Sequence, residues 1–393
     1  MNVLYVLKRY PRLSETFVVR EIAELEARGL TIGIDALLPP EPGPVHPDVA
    51  LVAARVRYLP RRPRVRREGV LGAHAAAAAR RPVAWAREAL RARRAGTWRR
   101  FLQAGLVAQR ARREGAEGIH AHFATAAAEV AGHASALAGV PFTVTAHAKD
   151  IFTEANAAQL RRRVGRARAV VTVSDHNRAH LVSVLPRADV RVVRNGVALR
   201  AATGPVAGGP ILCVARLVKK KGLDLLIDAV AILAASRPGV RLELIGGGPL
   251  HGPLARRAEA LEIADVVTFR GPLAPDEVEE AYRRCSMVAL ACRIGADGDR
   301  DGMPTVIVEA LAHGLPVVTT DVVGIGELVR HRRTGLLVPP EDPAGLAGAM
   351  AELLDDLPLA RALGDAGRAA VAGDYDPGRS AASLARVLAE AAA

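Results

Sequence analysis

Cysteine, aromatic side chains and long apolar runs are all scarce in this sequence. Its three cysteines, Cys213, Cys285 and Cys292, are odd in number and none stands in a Cys-x-x-Cys pair. A disulfide framework and a cysteine-held zinc are therefore not expected, and a reducing compartment fits. Phe, Trp and Tyr together make up 3% of 393 residues, too few for a surface on which nucleic-acid bases stack. No apolar run approaches the roughly 18 residues of a membrane-spanning helix. The opening MNVLYVLKRY reaches Lys8 before the apolar stretch of a secretory leader could be complete, so a cytoplasmic chain is expected.

Acidic residues are unevenly distributed. Residues 1–200 hold 34 lysines and arginines against 16 acids, whereas the remainder holds 20 against 25, within a net charge of +13. A basic half of this kind faces something anionic: nucleic acid, anionic lipid or a phosphorylated substrate. The segment Arg55–Arg113 is the extreme, with Glu68 and Glu88 as its only acids. Within it Trp98, Phe101, Leu102, Leu106 and Val107 share one helical stripe beside Arg99, Arg100, Arg110, Arg112 and Arg113. Two readings are open for that stripe. It lies on an anionic membrane surface, which would make the protein peripheral on the inner face of the membrane, or it packs on a sheet with its arginines solvated.

Short apolar runs alternate with helical patterns, the mark of a parallel α/β sheet. Val3–Leu7, Thr31–Leu37, Ile119–Phe123, Phe142–His147, Ala169–Ser174 and Val190–Val197 read as strands, and Thr16–Arg28 as a helix stopped by Gly29. The Gly- and Pro-rich stretch Leu199–Pro210 reads as a linker. After it the pattern restarts, with strands Ile211–Ala215, Arg241–Ile245, Val266–Phe269, Met287–Ala291 and Pro316–Thr319 separated by helices. The expectation is two Rossmann-like, doubly wound α/β domains facing across a cleft: 1–200, 210–376, and a final helix 377–393 that crosses back to the N-terminal domain.

The stretch DGMPTVIVEALAHGLPVV, Asp301–Val318, places two carboxylates eight positions apart around a helix start. Ligands of such sheets bind beyond the carboxyl ends of the strands. Pro304 suits the first helical turn, which leaves the amides of Thr305, Val306 and Ile307 pointing outward for phosphate or hydroxyl oxygens. Asp301 lies ahead of that start and Glu309 about a turn and a half inside. Phosphate at a helix end between hydroxyl-gripping acids describes a nucleotide sugar, although capping alone accounts for Asp301 and surface exposure for Glu309.

These residues carry a resemblance. DGMPTVIVEALAHGLPVVTT resembles the acid-x7-Glu signature of the family 4 retaining glycosyltransferases, which have the GT-B fold. VARLVKKKGLDLLIDA, LIGGGPL and TGLLVPPEDPAGLA resemble that family's donor-phosphate segment, glycine turn and closing motif, in the same order. RYPRLSETFVVREI, IHAHFA and FTVTAHAKDIF resemble the colanic-acid and exopolysaccharide subgroup. The resemblance implies transfer of a hexosyl group from a UDP- or GDP-linked donor to a glycan or lipid-linked acceptor, with retention, without a cofactor, without a metal and without nucleic acid. By position, it implies that Arg216 and Lys221 hold the diphosphate, that Gly246, Gly247, Gly248, Pro249 and Leu250 approach the nucleotide, and that Glu309 binds the ribose. Asp301 with Gly302, Met303, Pro304 and Thr305 would bind the donor sugar, and His147 would stand beside it. Ser14, Glu15, Thr16, Lys149 and Asp150 fall on the acceptor side. Ser14 also reads simply as a helix cap, with Glu15 in the first turn.

His120 and His122 in HAHF are taken to point to opposite faces of their strand and so not to form a metal pair, and DGDRD (Asp297–Asp301) is read as paired with cations rather than metal. The first acid of the signature is Asp rather than the commoner Glu, and KRYPRLSET lacks the Gly-Gly of most relatives, so the donor sugar is not inferred. Two other functions compete. One is a nucleotide-sugar epimerase of the same fold; the other is a non-catalytic protein that binds membrane surfaces.

Overall fold

The computed structural model describes residues 1–12, 15–42, 45–61, 69–153 and 157–393. The chain divides into two compact units. The first comprises Met1–Val173, Asn177–Gly196 and Pro377–Ala393, and the second Ser174–His176 and Val197–Asp376.

Seven strands form the sheet of the first unit: β1 (Asn2–Leu7), β2 (Thr31–Ala36), β3 (Arg55–Tyr58), β4 (Gly118–His122), β5 (Phe142–Ala146), β6 (Ala169–Thr172) and β7 (Val190–Val192). Their order is β3-β2-β1-β4-β5-β6-β7, and neighbouring strands run parallel. The strand order reverses between β1 and β4, which makes the loops beyond their carboxyl ends the natural ligand position. Strand β1 shows why a parallel sheet reads as a continuous apolar run. Leu4 and Val6 join one core with Phe101, Val107 and Leu137, while Val3, Tyr5 and Leu7 join another with Ile22, Leu25, Leu384 and Leu388. The final helix, Pro377–Ala392, therefore covers the same face as helix Thr16–Ala27.

The arginine-rich segment folds as β3 and three helices, Val70–Arg80, Pro82–Arg94 and Trp98–Arg113. In the last of these Phe101, Leu106 and Val107 are buried by protein, although Trp98 stays 46% exposed. Arg110 is buried too. Its guanidinium donates to Asp35 Oδ1 (2.8 Å), the carbonyl of Ile34 (2.8 Å) and the carbonyl of Arg55 (2.9 Å), tying the helix to β2 and β3. The apolar stripe of this helix thus belongs to the core.

In the second unit the strands are β8 (Ile211–Val214), β9 (Leu242–Ile245), β10 (Val267–Gly271), β11 (Met287–Leu290), β12 (Val317–Thr320) and β13 (Leu336–Val338), ordered β10-β9-β8-β11-β12-β13 and parallel. Here the order reverses between β8 and β11. The three cysteines are buried thiols. Helix Pro343–Asp355 starts where Asp342 Oδ1 accepts from the Gly345 amide at 2.8 Å, with Pro343 in its first turn. No helix among the described residues is long and apolar enough to cross a membrane.

Candidate active site

The loops beyond β8, β9 and β11 lock onto one another. The Leu217 amide donates to the Gly247 carbonyl (2.9 Å), Leu250 to Leu217 (3.2 Å) and Arg293 to Lys220 (2.9 Å). Two glycines permit this closeness. A Cβ on Gly222 (φ +59°) would stand 1.8 Å from the carbonyl oxygen of Ala291, and one on Gly246 (φ +134°) 2.0 Å from that of Ala215. The glycine turn is therefore required by the neighbouring loop, whatever ligand it also admits. Gly248 and Pro249 of this turn are exposed, and Leu250 packs partly on the core.

At the mouth of the β8/β11 switch point sits an ionic cluster. Lys221 Nζ lies 2.5 Å from Asp301 Oδ2, and Lys220 Nζ lies 3.0 Å from Asp301 Oδ1 and 3.1 Å from Asp299 Oδ1. Burial alone would raise the Asp301 pKa. Attraction to Lys221 and then Lys220, with hydrogen bonds from both, outweighs it and holds the carboxyl down at about 2. For Lys221 burial acts downward, and the pairing with Asp301 wins and raises its pKa. Lys220 was not singled out in the sequence, because three consecutive lysines look alike there; only burial on the sheet side distinguishes it. Arg216 is exposed in the same loop.

Helix Thr305–Ala312 begins one residue later than the sequence suggested. Pro304 is its N-cap with extended backbone, and the Ile307 amide already bonds the Pro304 carbonyl at 3.1 Å. The proline ring sets φ near −65°, but nothing compels a helical ψ at that residue. Gly302 and Pro304 are buried, Met303 and Thr305 partly exposed. Val306, Ile307, Val308, Ala310, Leu311 and Ala312 are buried while Glu309 is half-exposed. Glu309 Oε2 accepts from the Tyr282 hydroxyl at 3.3 Å. Tyr282, a residue the sequence left unmarked, also stacks on His313 at 4.9 Å.

A second cluster forms in the first unit, at the carboxyl ends of β4 and β5. His147 is buried, stacks on His122 (5.0 Å between centroids) and lies between Phe17 (4.9 Å) and Phe123 (4.7 Å). Its Nε2 is 3.0 Å from His122 Nδ1, and His122 Nε2 is 3.1 Å from Glu21 Oε1, which also accepts from the Tyr5 hydroxyl at 2.9 Å. The carboxylate can only accept, so His122 donates from Nε2 and receives at Nδ1. His147 then donates from Nε2 and keeps Nδ1 as an acceptor. Burial, with His122 and His120 nearby, lowers the His147 pKa well below 6.5, so the ring is neutral.

His120 and His122 share a face of β4, contrary to expectation: residues two apart on a strand point the same way. Their rings lie 5.7 Å apart. With Glu21 they bring ligand atoms within 4.8 Å of one another, a grouping able to hold a metal ion. Hydrogen bonds already engage both nitrogens of His120, with Thr143 Oγ1 at 2.8 Å and Thr145 Oγ1 at 3.1 Å.

Asp150 is buried, and its carboxylate accepts from the amides of Ala124 (2.8 Å), Ala148 (2.9 Å) and His147 (3.1 Å). It shapes the His147 loop rather than presenting itself to an acceptor. Lys149 beside it is exposed. The helix cap is Glu15 rather than Ser14. The helix runs from Thr16, without a side-chain cap, and Glu15 Oε1 accepts from Arg12 at 2.7 Å. Ser14 lies outside the described residues.

Family models for "Glycosyltransferase Family 4" and "Glycosyl transferases group 1" match residues 14–200 and 209–356, one on each half of the chain. This chain belongs to the family 4, group 1 glycosyltransferases. Among curated members, it is 35% identical over 243 residues to the GDP-mannose-dependent alpha-(1-6)-phosphatidylinositol monomannoside mannosyltransferase of Mycobacterium tuberculosis, covering 58% of this chain and 63% of that one. It is 35% identical over 143 residues to the amylovoran biosynthesis glycosyltransferase AmsK of Erwinia amylovora, covering 36% and 35% respectively. The chain thus aligns with less than two thirds of the length of either relative. In fold, this glycosyltransferase-family chain is similar to Anabaena HepE in complex with UDP, with a TM-score of 0.76 and 20% identity over 99% of this chain and all of that one. Two parallel-sheet units with such neighbours assign the GT-B fold.

Proposed function

We propose that the protein transfers a hexosyl group from a nucleotide sugar to a glycan or lipid-linked acceptor in polysaccharide or glycolipid biosynthesis, with retention at the anomeric carbon. The carrying observation is the pair Lys220 and Lys221 beside Asp301 at the β8/β11 switch point. An ammonium has three donors. Lys221, with Asp301 as its one carboxylate partner among the described residues, keeps donors for a diphosphate, and exposed Arg216 adds a bidentate fork. Asp301 and Asp299 hold the lysines in place and Asp301 offers oxygen to sugar hydroxyls, while Glu309, braced by Tyr282, takes the ribose. That structural relatives bind UDP or UDP-glucose supports a nucleotide-sugar donor.

In the transfer step the bond from the anomeric carbon to the phosphate oxygen breaks and its electron pair leaves with the diphosphate. The acceptor hydroxyl attacks from the same face and the departing phosphate oxygen takes its proton. Cationic side chains stabilise the charge that develops on the leaving group. Neutral His147 accepts a hydrogen bond from a sugar hydroxyl at Nδ1, oriented through His122 and Glu21. No metal is needed in this scheme, because lysine and arginine supply the positive charge. A location at the inner membrane face follows if the acceptor is lipid-linked.

The test is a donor screen followed by transfer assays. Lys221→Ala and Glu309→Ala are expected to abolish transfer in folded protein, and wild-type rates in both refute the assignment. Epimer formed from donor alone favours the epimerase reading. Vesicle binding without turnover of any donor favours the non-catalytic one.

A further inference from the structure

A cavity of about 420 Å³ opens among the helices of the first unit, and the mechanism above makes no use of it. Arg91, Arg94, Arg161, Arg162, Arg163 and Arg166 line it, against a single lining carboxylate, Glu129. They come from helices Pro82–Arg94 and Ala157–Val164 and the turn after the latter, while Glu129 and His133 sit on helix Ala126–Ala138. Two buried acids hold the walls. Glu129 pairs with Arg100, Arg163 and Arg162, the last two at 3.3 and 3.6 Å. Glu88 takes Arg91 at 2.7 Å, Arg166 at 2.8 Å and His133 at 2.6 Å. Five guanidiniums thus share two carboxylates. Arg94 and Arg161 are exposed, and no carboxylate among the described residues pairs with either. Like charges converging on a concavity raise its potential and call for an anion. Fixed guanidinium forks match phosphate oxygens in pairs.

The cavity adjoins the His147 loop. Arg163 Nη1 donates to the Ala124 carbonyl at 3.2 Å, and the Ala124 amide donates to Asp150 at 2.8 Å, the same carboxylate that accepts from the His147 amide. Three hydrogen bonds thus link Arg163 in the cavity wall to the backbone that carries His147.

We propose that this arginine-lined cavity binds a phosphate or pyrophosphate group carried by the acceptor. As an acceptor subsite it rests on the transferase reading; as an anion site it does not. Inorganic pyrophosphate titrated calorimetrically into the full chain is the probe. The wild type is expected to bind at two places, one at Lys220 and Lys221 and one in this cavity. Arg94→Ala with Arg162→Ala alters two exposed side chains, and its fold is checked by circular dichroism. It is expected to weaken the second event at least tenfold and leave the first, which Lys221→Ala removes. Stoichiometry and affinities unchanged in the double variant overturn the proposal.

Vesicles of phosphatidylcholine with and without phosphatidic acid separate the sources. Binding to the acidic vesicles that the double variant loses, together with pyrophosphate, supports a lipid headgroup. Vesicle binding equal in the two proteins, with pyrophosphate binding lost, supports a soluble phosphorylated acceptor. If pyrophosphate binding is lost in the double variant yet the wild type turns over no nucleotide sugar, the transferase reading fails and the anion site stands.

Discussion

Asp301→Asn isolates the cluster on which donor binding is argued to depend. The side chain is 17% exposed and bonded to two lysines that are themselves 7% and 12% exposed. Its carboxyl pKa falls from an ordinary 3.8 to about 2, which contributes about 2.5 kcal/mol of stability at neutral pH. The folded pKa is depressed, so that stability is fully present above pH 4 and is lost as pH falls toward 2. Asparagine removes it and leaves two buried ammoniums facing a neutral amide, which brings the expected cost to about 3–4 kcal/mol. Urea unfolding at pH 7, followed on the second unit, measures the cost. The same titration at pH 3 should show a smaller gap between variant and wild type. Pyrophosphate should stabilise Asp301→Asn more than wild type, because Lys221 loses its carboxylate partner, Lys220 keeps only Asp299, and both then have an anion to bind. Equal stability of the two proteins at pH 7, or a gap that widens toward pH 3, refutes the reasoning.

Gly222→Ala should destabilise by more than about 2 kcal/mol in thermal melts, since its Cβ would meet the Ala291 carbonyl oxygen at 1.8 Å. Arg110→Met leaves Asp35 buried without one of its two cations and should cost about 3–5 kcal/mol by urea titration. His122→Phe breaks the relay from Glu21, so transfer should fall about tenfold or more in kcat with donor KM little changed; equal losses in both point to a packing role only. Burial pulls the His120 pKa down to about 3. The folded form therefore resists a proton that the unfolded form accepts below pH 6.5, and about 2 kcal/mol should be lost between pH 6.5 and 5. His120→Gln should flatten that pH dependence.

The alternation of apolar runs and helical stripes was enough to anticipate two doubly wound units, because a parallel strand buried on both faces is apolar along its whole length. β1 and β8 are such strands. β3, reading Arg-Val-Arg-Tyr, was not legible: it is an edge strand, exposed at both ends, and its Arg57 is held by Asp35 of the neighbouring strand at 2.8 Å. The motif around Asp301 and Glu309 was visible because a helix start and two acids lie close in sequence. Their partners were not. Lys220 and Tyr282 come from other crossovers, 79 residues before Asp299, which Lys220 meets along with Asp301, and 27 residues before Glu309. Glu21 and His122, 101 residues apart, bond only because β1 and β4 are neighbours in the sheet. Local periodicity encodes which elements form, since side-chain direction repeats every few residues. Which charge faces which, and so where an arginine cavity opens or a histidine loses its proton, depends on strand order, and that is settled only when the whole sheet assembles.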